Sequence, residues 1–144
     1  MNIASILATK GDKVVTISAE QTIREALGVL AQHNIGALVV VDAGQRPIGI
    51  LSERDVVRAA VKNEAVFSLL VSQLMTRELV LGVPGDDLGA VGQTMVQRHI
   101  RHLPVVDGGK LVGMVSIGDV VKAQRDHYQG EVDTLQTIVM ERGH

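Results

Sequence analysis

The chain has 144 residues, a formal net charge of −2, no cysteine and only two aromatic side chains, Phe67 and Tyr128. The length fits one domain or two very small ones, and the apolar content is sufficient for a packed core. The missing Cys excludes disulfides and thiolate metal sites, and the charge and scarcity of rings argue against nucleic-acid binding. The longest apolar run, residues 37–41, is too short to span a membrane, and the N terminus lacks the plan of a signal peptide. We therefore expect a cytoplasmic protein with neither a nucleic-acid nor a membrane partner.

The first half of the chain predicts two helices and three strands. In order they are a strand over 14–17, a helix from Ile23, strands over 37–41 and 47–51, and a helix over 52–61. Thr22 can cap the first helix, with Glu25 three residues later completing a capping box. Residues 42–46 carry turn chemistry, which predicts a hairpin.

The second half repeats this order. The predicted elements are a strand over 79–81, a turn over 83–87 in which an Asp caps the following helix, strands over 103–106 and 111–115, and a helix from Ser116. Asp107 follows Asp42 by 65 residues, and Gly113 follows Gly49 by 64, because the second hairpin turn is one residue shorter. Matching caps, turns and strands in one order indicate an internal duplication.

The segments outside the two repeats also have helical patterns. Four apolar side chains in the joining stretch, which we expect to pack across the seam between the units, are Phe67, Leu70, Val71 and Leu74. The C-terminal helix is predicted to be weak at Gly130, and beyond it an apolar stripe suits packing or a dimer surface: Val132, Leu135, Ile138 and Val139. The predicted division is 1–65 for the first domain, 66–125 for the second with its linker helix, and 126–144 for a helical tail.

Each repeat closes with one motif, Gly-hydrophobic-hydrophobic-Ser-x-x-Asp, at residues 49–55 and 113–119. Two such motifs in register resemble tandem CBS domains, the Bateman module, over roughly residues 1–124. The resemblance implies an α/β fold of two pseudo-symmetric βαββα units packed sheet to sheet. It also implies clefts that bind an adenosine nucleotide (AMP, ADP, ATP, or a relative such as NAD or S-adenosylmethionine) and pairing into a homodimer.

The residue types of the motif suit such a ligand. A carboxylate near a helix start, at Asp55 or Asp119, can accept hydrogen bonds from a ribose diol. Ser52 and Ser116, at the helix N-caps, can hold a phosphate together with free helix amides. Arg54 adds a fork of donors to the first copy. The alternative is structural, because Ser-x-x-Asp is also an ordinary helix start.

Other site residues follow from the resemblance. It puts Arg101 and His102 at the phosphate side of a cleft. It forms the adenine pocket, mainly through backbone atoms, from Thr16, Ile17, Ser18, Ile35, Gly36, Ala37, Leu81, Val83, Ile100, Leu103 and Pro104. Gly82 and Asp87 stand where the first copy has Ile17 and Thr22, which is a departure between the copies. A metal site at His99 and His102 is disfavoured, because no third ligand is near.

The leading hypothesis is a regulatory module without catalytic residues, since no nucleotide-enzyme or hydrolase motif is present. No cofactor is expected beyond a regulatory adenosine nucleotide, and the signal would pass through a conformational change, the homodimer interface, or a separate enzyme or transporter. A structural interaction module with empty clefts is the alternative.

Overall fold

The computed structural model describes residues 1–11 and 13–142, and the side chains of 1–11 and 13–130. The helices are α1 (Ile3–Lys10), α2 (Ile23–His33), α3 (Glu53–Lys62), α4 (Val71–Leu74), α5 (Leu88–Gln97) and α6 (Ile117–Arg142), with a 3₁₀ helix at Val66–Ser68. The strands are β1 (Thr16–Ile17), β2 (Ala37–Val41), β3 (Pro47–Ser52), β4 (His102–Asp107) and β5 (Lys110–Ser116).

The first unit is a three-stranded sheet in the order β1-β2-β3, covered by helices. β2 is buried along its whole length, as its run of Leu and Val predicts, and it pairs parallel with β1 and antiparallel with β3. The predicted capping box starts α2, because Thr22 Oγ1 accepts from the backbone N–H of Glu25 at 3.2 Å. The α/β fold of two similar units with a C-terminal helix is confirmed.

The second unit has one regular strand fewer. β4 and β5 form a hairpin, but the strand predicted at 79–81 does not form. Only Gly82 pairs there, donating to the carbonyl of Pro104 and accepting from the N–H of Val106, both at 2.9 Å. Gly82 has no side chain to pack, and Pro84, two residues on, has no N–H for a ladder, so the strand ends at a single bridge.

The helix that precedes each unit in sequence packs on the other unit. α1 places Ile3 and Ile6 in the core of the second unit. The joining segment places Val66, Val71 and Met75 in the core of the first. The expectation that the joining stretch packs across the seam is therefore wrong: Val71 and Leu74 pack on the first unit, and Phe67 and Leu70 are exposed.

Matching backbone hydrogen bonds fix both exchanged segments, namely α1 on the second unit and the joining segment with α4 on the first. The N–H of Ile23, at the start of α2, donates to the carbonyl of Leu69 at 2.8 Å, and the N–H of Leu88, at the start of α5, donates to the carbonyl of Met1 at 3.1 Å. Each incoming segment thus satisfies a helix-start amide that would otherwise lack a partner. The packing consequently crosses the predicted boundary between residues 65 and 66.

The exchange explains the departure at Gly82. Ile17, its counterpart in the first unit, is 3% exposed and belongs to that core. A Cβ on Gly82 would lie 2.8 Å from Ile3 Cδ1 and 2.7 Å from Leu103 Cδ2. Ile3 of α1 therefore fills the space that a larger side chain at position 82 would need.

The C-terminal helix α6 continues without a break through Gly130 to Arg142, so the predicted weak point does not interrupt it. One Gly in a helix interior costs only about 1 kcal/mol relative to Ala, which the adjoining turns offset. The predicted apolar stripe after Gly130 lies outside the side chains that the structure describes.

We predict that Gly82→Ala lowers the free energy of unfolding by about 1–3 kcal/mol, because both neighbouring side chains are buried and cannot swing away. Ile3→Val alone should cost about 0.5–1.5 kcal/mol. The double variant should lose less stability than the sum of the two single losses, since the shorter side chain at position 3 leaves room for the new methyl group. Urea unfolding of all four proteins measures this coupling.

Gly28→Ala is the matched control, because no atom lies within 4 Å of a Cβ at that helix position. It should raise stability by about 0.5–1 kcal/mol through helix propensity alone. Strict additivity of Gly82→Ala and Ile3→Val would contradict the packing described.

Candidate functional site

A cleft of about 600 Å³ lies between the two units. It is lined by residues of the first motif, of the joining segment and of the turn before β4, which are Gly36, Ile50, Ser52, Glu53, Arg54, Asp55, Arg58, Thr76, Glu78, Leu79, Val80, His99, Ile100, Arg101 and His102. The cleft therefore brings together seven of the predicted site residues: Gly36, Ser52, Arg54, Asp55, Ile100, Arg101 and His102.

The end of β3 and the start of α3 position Ser52 and Asp55. Asp55 Oδ2 accepts from the N–H of Ser52 at 2.9 Å, and Ser52 Oγ accepts from the N–H of Asp55 at 3.3 Å. Ser52 and Asp55 therefore form a capping box at the start of α3, as the structural interpretation of the motif predicts. It leaves Asp55 Oδ1 without a hydrogen-bond donor among the described residues, and the Ser52 hydroxyl proton remains available.

The helix start offers fewer free amides than its sequence suggests. The N–H of Glu53 donates to the carbonyl of Gly36 at 3.0 Å, and the N–H of Asp55 is used by Ser52. Only the N–H of Arg54 remains among the first three amides of α3. A phosphate in this cleft therefore depends chiefly on side chains.

Three arginines supply those side-chain donors. Arg54 and Arg58 lie one turn apart on α3, and Arg101 precedes β4 on the opposite unit. Within the described side chains, none of the three has a carboxylate within 4 Å, the limit for an ion pair. Unpaired guanidiniums converging on a concave surface favour an anion with several oxygens.

His102 lies half-buried at the edge of the cleft. Burial lowers the pKa of His102 below its ordinary value, and the positive charges of Lys10 and Arg101 lower it further. The carboxylate of Asp119 opposes this shift but does not reverse it. The surroundings of His102 in the free protein therefore disfavour its charged form, and an anion bound beside the ring would favour it.

The second motif has the same backbone geometry but lies outside this cleft. Asp119 Oδ2 accepts from the N–H of Ser116 at 2.8 Å, and Ser116 Oγ accepts from the N–H of Asp119 at 3.0 Å. Lys10 Nζ lies 2.7 Å from the same Asp119 oxygen. Partial burial by itself raises the pKa of Asp119, but the hydrogen bonds from Lys10 and Ser116 outweigh it and hold that pKa below its ordinary value.

The predicted adenine residues are dispersed. Ile17, Ala37 and Pro104 are buried, and Thr16, Ser18 and Ile35 are half-buried away from the cleft lining. Leu81 and Leu103 line a separate cavity of about 240 Å³ beside α5. Val83 is 46% exposed on its turn. Of the predicted adenine pocket, the main cleft contains only Gly36 and Ile100.

Several residues of the two sites were not predicted. Arg58 follows Arg54 by four positions on one helix face, so helical spacing could have identified it. Glu53, Thr76 and Glu78 line the cleft, but Thr76 and Glu78 come from a segment with no motif. Lys10 lies 109 residues from Asp119, and no local signal connects the two.

Neither a metal site nor a membrane span is found in the described part of the chain. Its His, Asp and Glu side chains form no group of three that could hold an ion. None of its helices combines the length and apolarity that crossing a bilayer requires.

Comparison with known proteins gives one consistent result. A family profile for the CBS domain matches residues 4–62 and 71–126. The CBS domain-containing protein YhcV of Bacillus subtilis is 39% identical over 121 residues, which are 84% of this chain and 86% of that protein. The CBS domain-containing protein CBSX3, mitochondrial, of Arabidopsis thaliana is 33% identical, covering 95% of this chain and 71% of that protein.

Solved structures agree. The CBS-domain containing protein ATU1752 of Agrobacterium tumefaciens superposes with a TM-score of 0.82 at 38% identity, over 86% of this chain and 99% of that one. The CBS domain pair of protein MJ0100, in complex with 5-methylthioadenosine and S-adenosyl-L-methionine, superposes with a TM-score of 0.79 at 25% identity, over 88% and 98% of the two chains. With both repeats matched by the profile and by these relatives, the chain belongs to the CBS domain family as a CBS domain pair.

Proposed function

We propose that this CBS pair is a non-catalytic regulatory module that binds an adenosine nucleotide in the cleft between its units. The observation that carries the proposal is the convergence of Asp55 with three unpaired arginines on one 600 Å³ cleft. Asp55 accepts hydrogen bonds from the ribose hydroxyls. The phosphates are held by Ser52, Arg54, Arg58 and Arg101. Binding is reported through a change in the relation of the two units or in a dimer interface.

The carboxylate provides the argument for a ribose. A cis-diol donates two hydrogen bonds, and Asp55 keeps Oδ1 and part of Oδ2 free to accept them. The structurally similar pair of MJ0100 is in complex with 5-methylthioadenosine and S-adenosyl-L-methionine. These two ligands share an adenosine group, which supports adenosine as the common part of the ligand here.

The cations provide the argument for phosphate. Methylthioadenosine has no phosphate and the sulfonium of S-adenosylmethionine is positive, so neither needs a cluster of guanidiniums. Arg54, Arg58 and Arg101 approach the cleft from both units. A polyphosphate bridging them would connect the units directly, which gives the ligand a differential affinity for one arrangement of the pair.

The competing hypothesis is a structural interaction module with an empty cleft. Thermal unfolding with adenosine, AMP, ADP, ATP, NAD, S-adenosylmethionine and methylthioadenosine distinguishes the two. A ligand at about 100 times its Kd stabilises the protein by about 2.7 kcal/mol. No shift with any of them favours the structural module.

We predict that Asp55→Asn weakens binding of ATP by about 10- to 100-fold, the effect of one hydrogen bond to a charged group. The amide oxygen of Asn can still accept from the N–H of Ser52, so the melting temperature of the free protein should stay nearly unchanged. Isothermal titration calorimetry measures the affinity.

Asp107→Asn is the matched control, because Asp107 is an exposed hairpin residue outside the cleft. Its affinity for ATP should equal that of the original protein. If Asp55→Asn binds ATP as tightly as this control, the carboxylate does not hold the ribose.

We also predict that ATP binding strengthens as the pH falls from about 8 to about 6. In the free protein, burial lowers the pKa of His102 and disfavours its charged form. A phosphate beside the ring raises that pKa, so the complex takes up a proton and acid favours it, by up to about tenfold for each unit of rise. Calorimetry at several pH values measures the affinity.

His102→Gln is the control for ionisation of ATP itself, since both proteins meet the same ligand. The affinity of the original protein for ATP, divided by that of His102→Gln, should increase as the pH falls. A ratio independent of pH would mean that His102 is remote from the phosphate.

We further propose that the module is a homodimer. Val57 and Val61 on α3 are 63% and 83% exposed, and Val121, the repeat counterpart of Val57 on α6, is 55% exposed. Exposed β-branched side chains at matching positions of two helices suit a contact with a second copy.

The expected result for Val61→Glu is a monomer, because a carboxylate in a packed apolar interface loses its hydration. Light scattering after size exclusion measures the mass. Val83→Glu places the same charge on an exposed turn and should leave a dimer. A monomeric mass for the original protein would refute the dimer.

A further inference from the structure

The two motif carboxylates differ in one contact. Their backbone surroundings match: the N–H of Glu53 donates to the carbonyl of Gly36 at 3.0 Å, and the N–H of Ile117, its repeat counterpart, donates to the carbonyl of Arg101 at 2.9 Å. Asp119, however, also accepts from Lys10 Nζ at 2.7 Å. Among the described residues, Asp55 has no cation within 4 Å.

The segment that covers each motif explains this difference. In the first unit the carbonyl of Ile50 accepts from the backbone N–H of Thr76 at 2.8 Å. In the second, the carbonyl of Met114, the repeat counterpart of Ile50, accepts from Lys10 Nζ at 3.0 Å. α4 ends at Leu74 and the chain then pairs with Ile50, whereas α1 stays helical to Lys10. A lysine side chain thus takes the place of a backbone donor.

Lys10 is held in this position by buried neighbours on its own helix. Ile3 and Ile6 belong to the core of the second unit. Leu7 packs on the motif glycine, since a Cβ on Gly113 would lie 2.6 Å from Leu7 Cδ2. The end of α1 is therefore fixed beside Asp119, and the ammonium reaches both the carboxylate and the Met114 carbonyl without displacing the helix.

The number of hydrogen bonds shows what this contact does to the site. A carboxylate oxygen has about two lone-pair positions. Asp119 Oδ2 fills both, with the N–H of Ser116 and with Lys10 Nζ. Asp55 Oδ2 accepts from the N–H of Ser52 and keeps one position open. A cis-diol can bridge both oxygens of Asp55 but only Oδ1 of Asp119.

We infer that Lys10 is a built-in occupant of the second carboxylate site, so that the free protein has one fully open ribose site, at Asp55, and a second, at Asp119, where a diol reaches both carboxylate oxygens only when Lys10 leaves. This inference rests on the proposed function. A ligand that reaches Asp119 breaks the contact between the end of α1 and the second unit. By reciprocity, whatever loosens α1 raises the affinity of that second site.

Calorimetry with ATP tests the inference. In the original protein the second ATP should bind weakly, because it competes with Lys10 for Asp119, and Lys10→Met should bind it about five- to tenfold more tightly through loss of a partly exposed charged hydrogen bond. Lys62→Met, which removes an exposed lysine at the end of α3, should bind the second ATP as weakly as the original protein. An equal affinity of the second site in the original protein and Lys10→Met, or a weaker second site in Lys10→Met, would each overturn the inference.

A readout without ligand separates this result from the proposed function. Lys10, Arg101 and Asp119 are the charges that act on His102. Removing Lys10 removes a repulsion, so the pKa of His102 measured by NMR should rise in Lys10→Met and stay constant in Lys62→Met. An unchanged pKa means that the contact does not form in solution, and the inference fails. No ATP binding by either protein refutes the proposed function and the inference with it.

Discussion

The fold depends on burying the apolar faces of two small sheets. The first has three strands and the second two, and each leaves an apolar face that its own two helices do not close. The chain solves this by exchange: α1 crosses to the second unit, and the segment with α4 returns to the first. Because sheets of this size are unstable without a packed face, the two units stabilise each other and the space between them is fixed.

The same exchange makes the two motif sites unequal. A duplicated sequence would be expected to give two equal sites, but the covering segments are not copies of each other. One continues in extended conformation at Thr76 and leaves Asp55 facing the open cleft. The other remains helical and brings a cation to Asp119. The difference between the two carboxylates therefore originates outside the motifs, in the segments that cover them.

The repeat, the hairpins and the helix starts could be predicted from sequence because their causes are local. Thr22 with Glu25, and Ser52 with Asp55, fix helix starts within four residues, and buried runs such as that of β2 identify strands. Arg54 was predicted from the donors of its side chain and Arg101 from the family resemblance, but neither predicted that the two would line one cleft. The contact of Lys10 with Asp119, and of Ile3 with Gly82, depends on how distant segments pack, which no local pattern specifies. The strand at 79–81 was predicted because its residues are apolar enough for burial. It does not form because only Gly82 pairs with β4, and Pro84 beyond it has no N–H to continue the ladder.

Because of the exchanged helices, the segment of sequence that was duplicated is not the same as the set of residues that folds into one core. The repeat that duplicated is a continuous stretch of sequence, whereas each folded core is assembled from a stretch and a helix contributed from elsewhere. A fragment cut after residue 65 would keep α1 without the core it fills and would lose the helix that fills its own. Recombination between such pairs would therefore have to transfer both halves together, and modularity in this fold belongs to the pair.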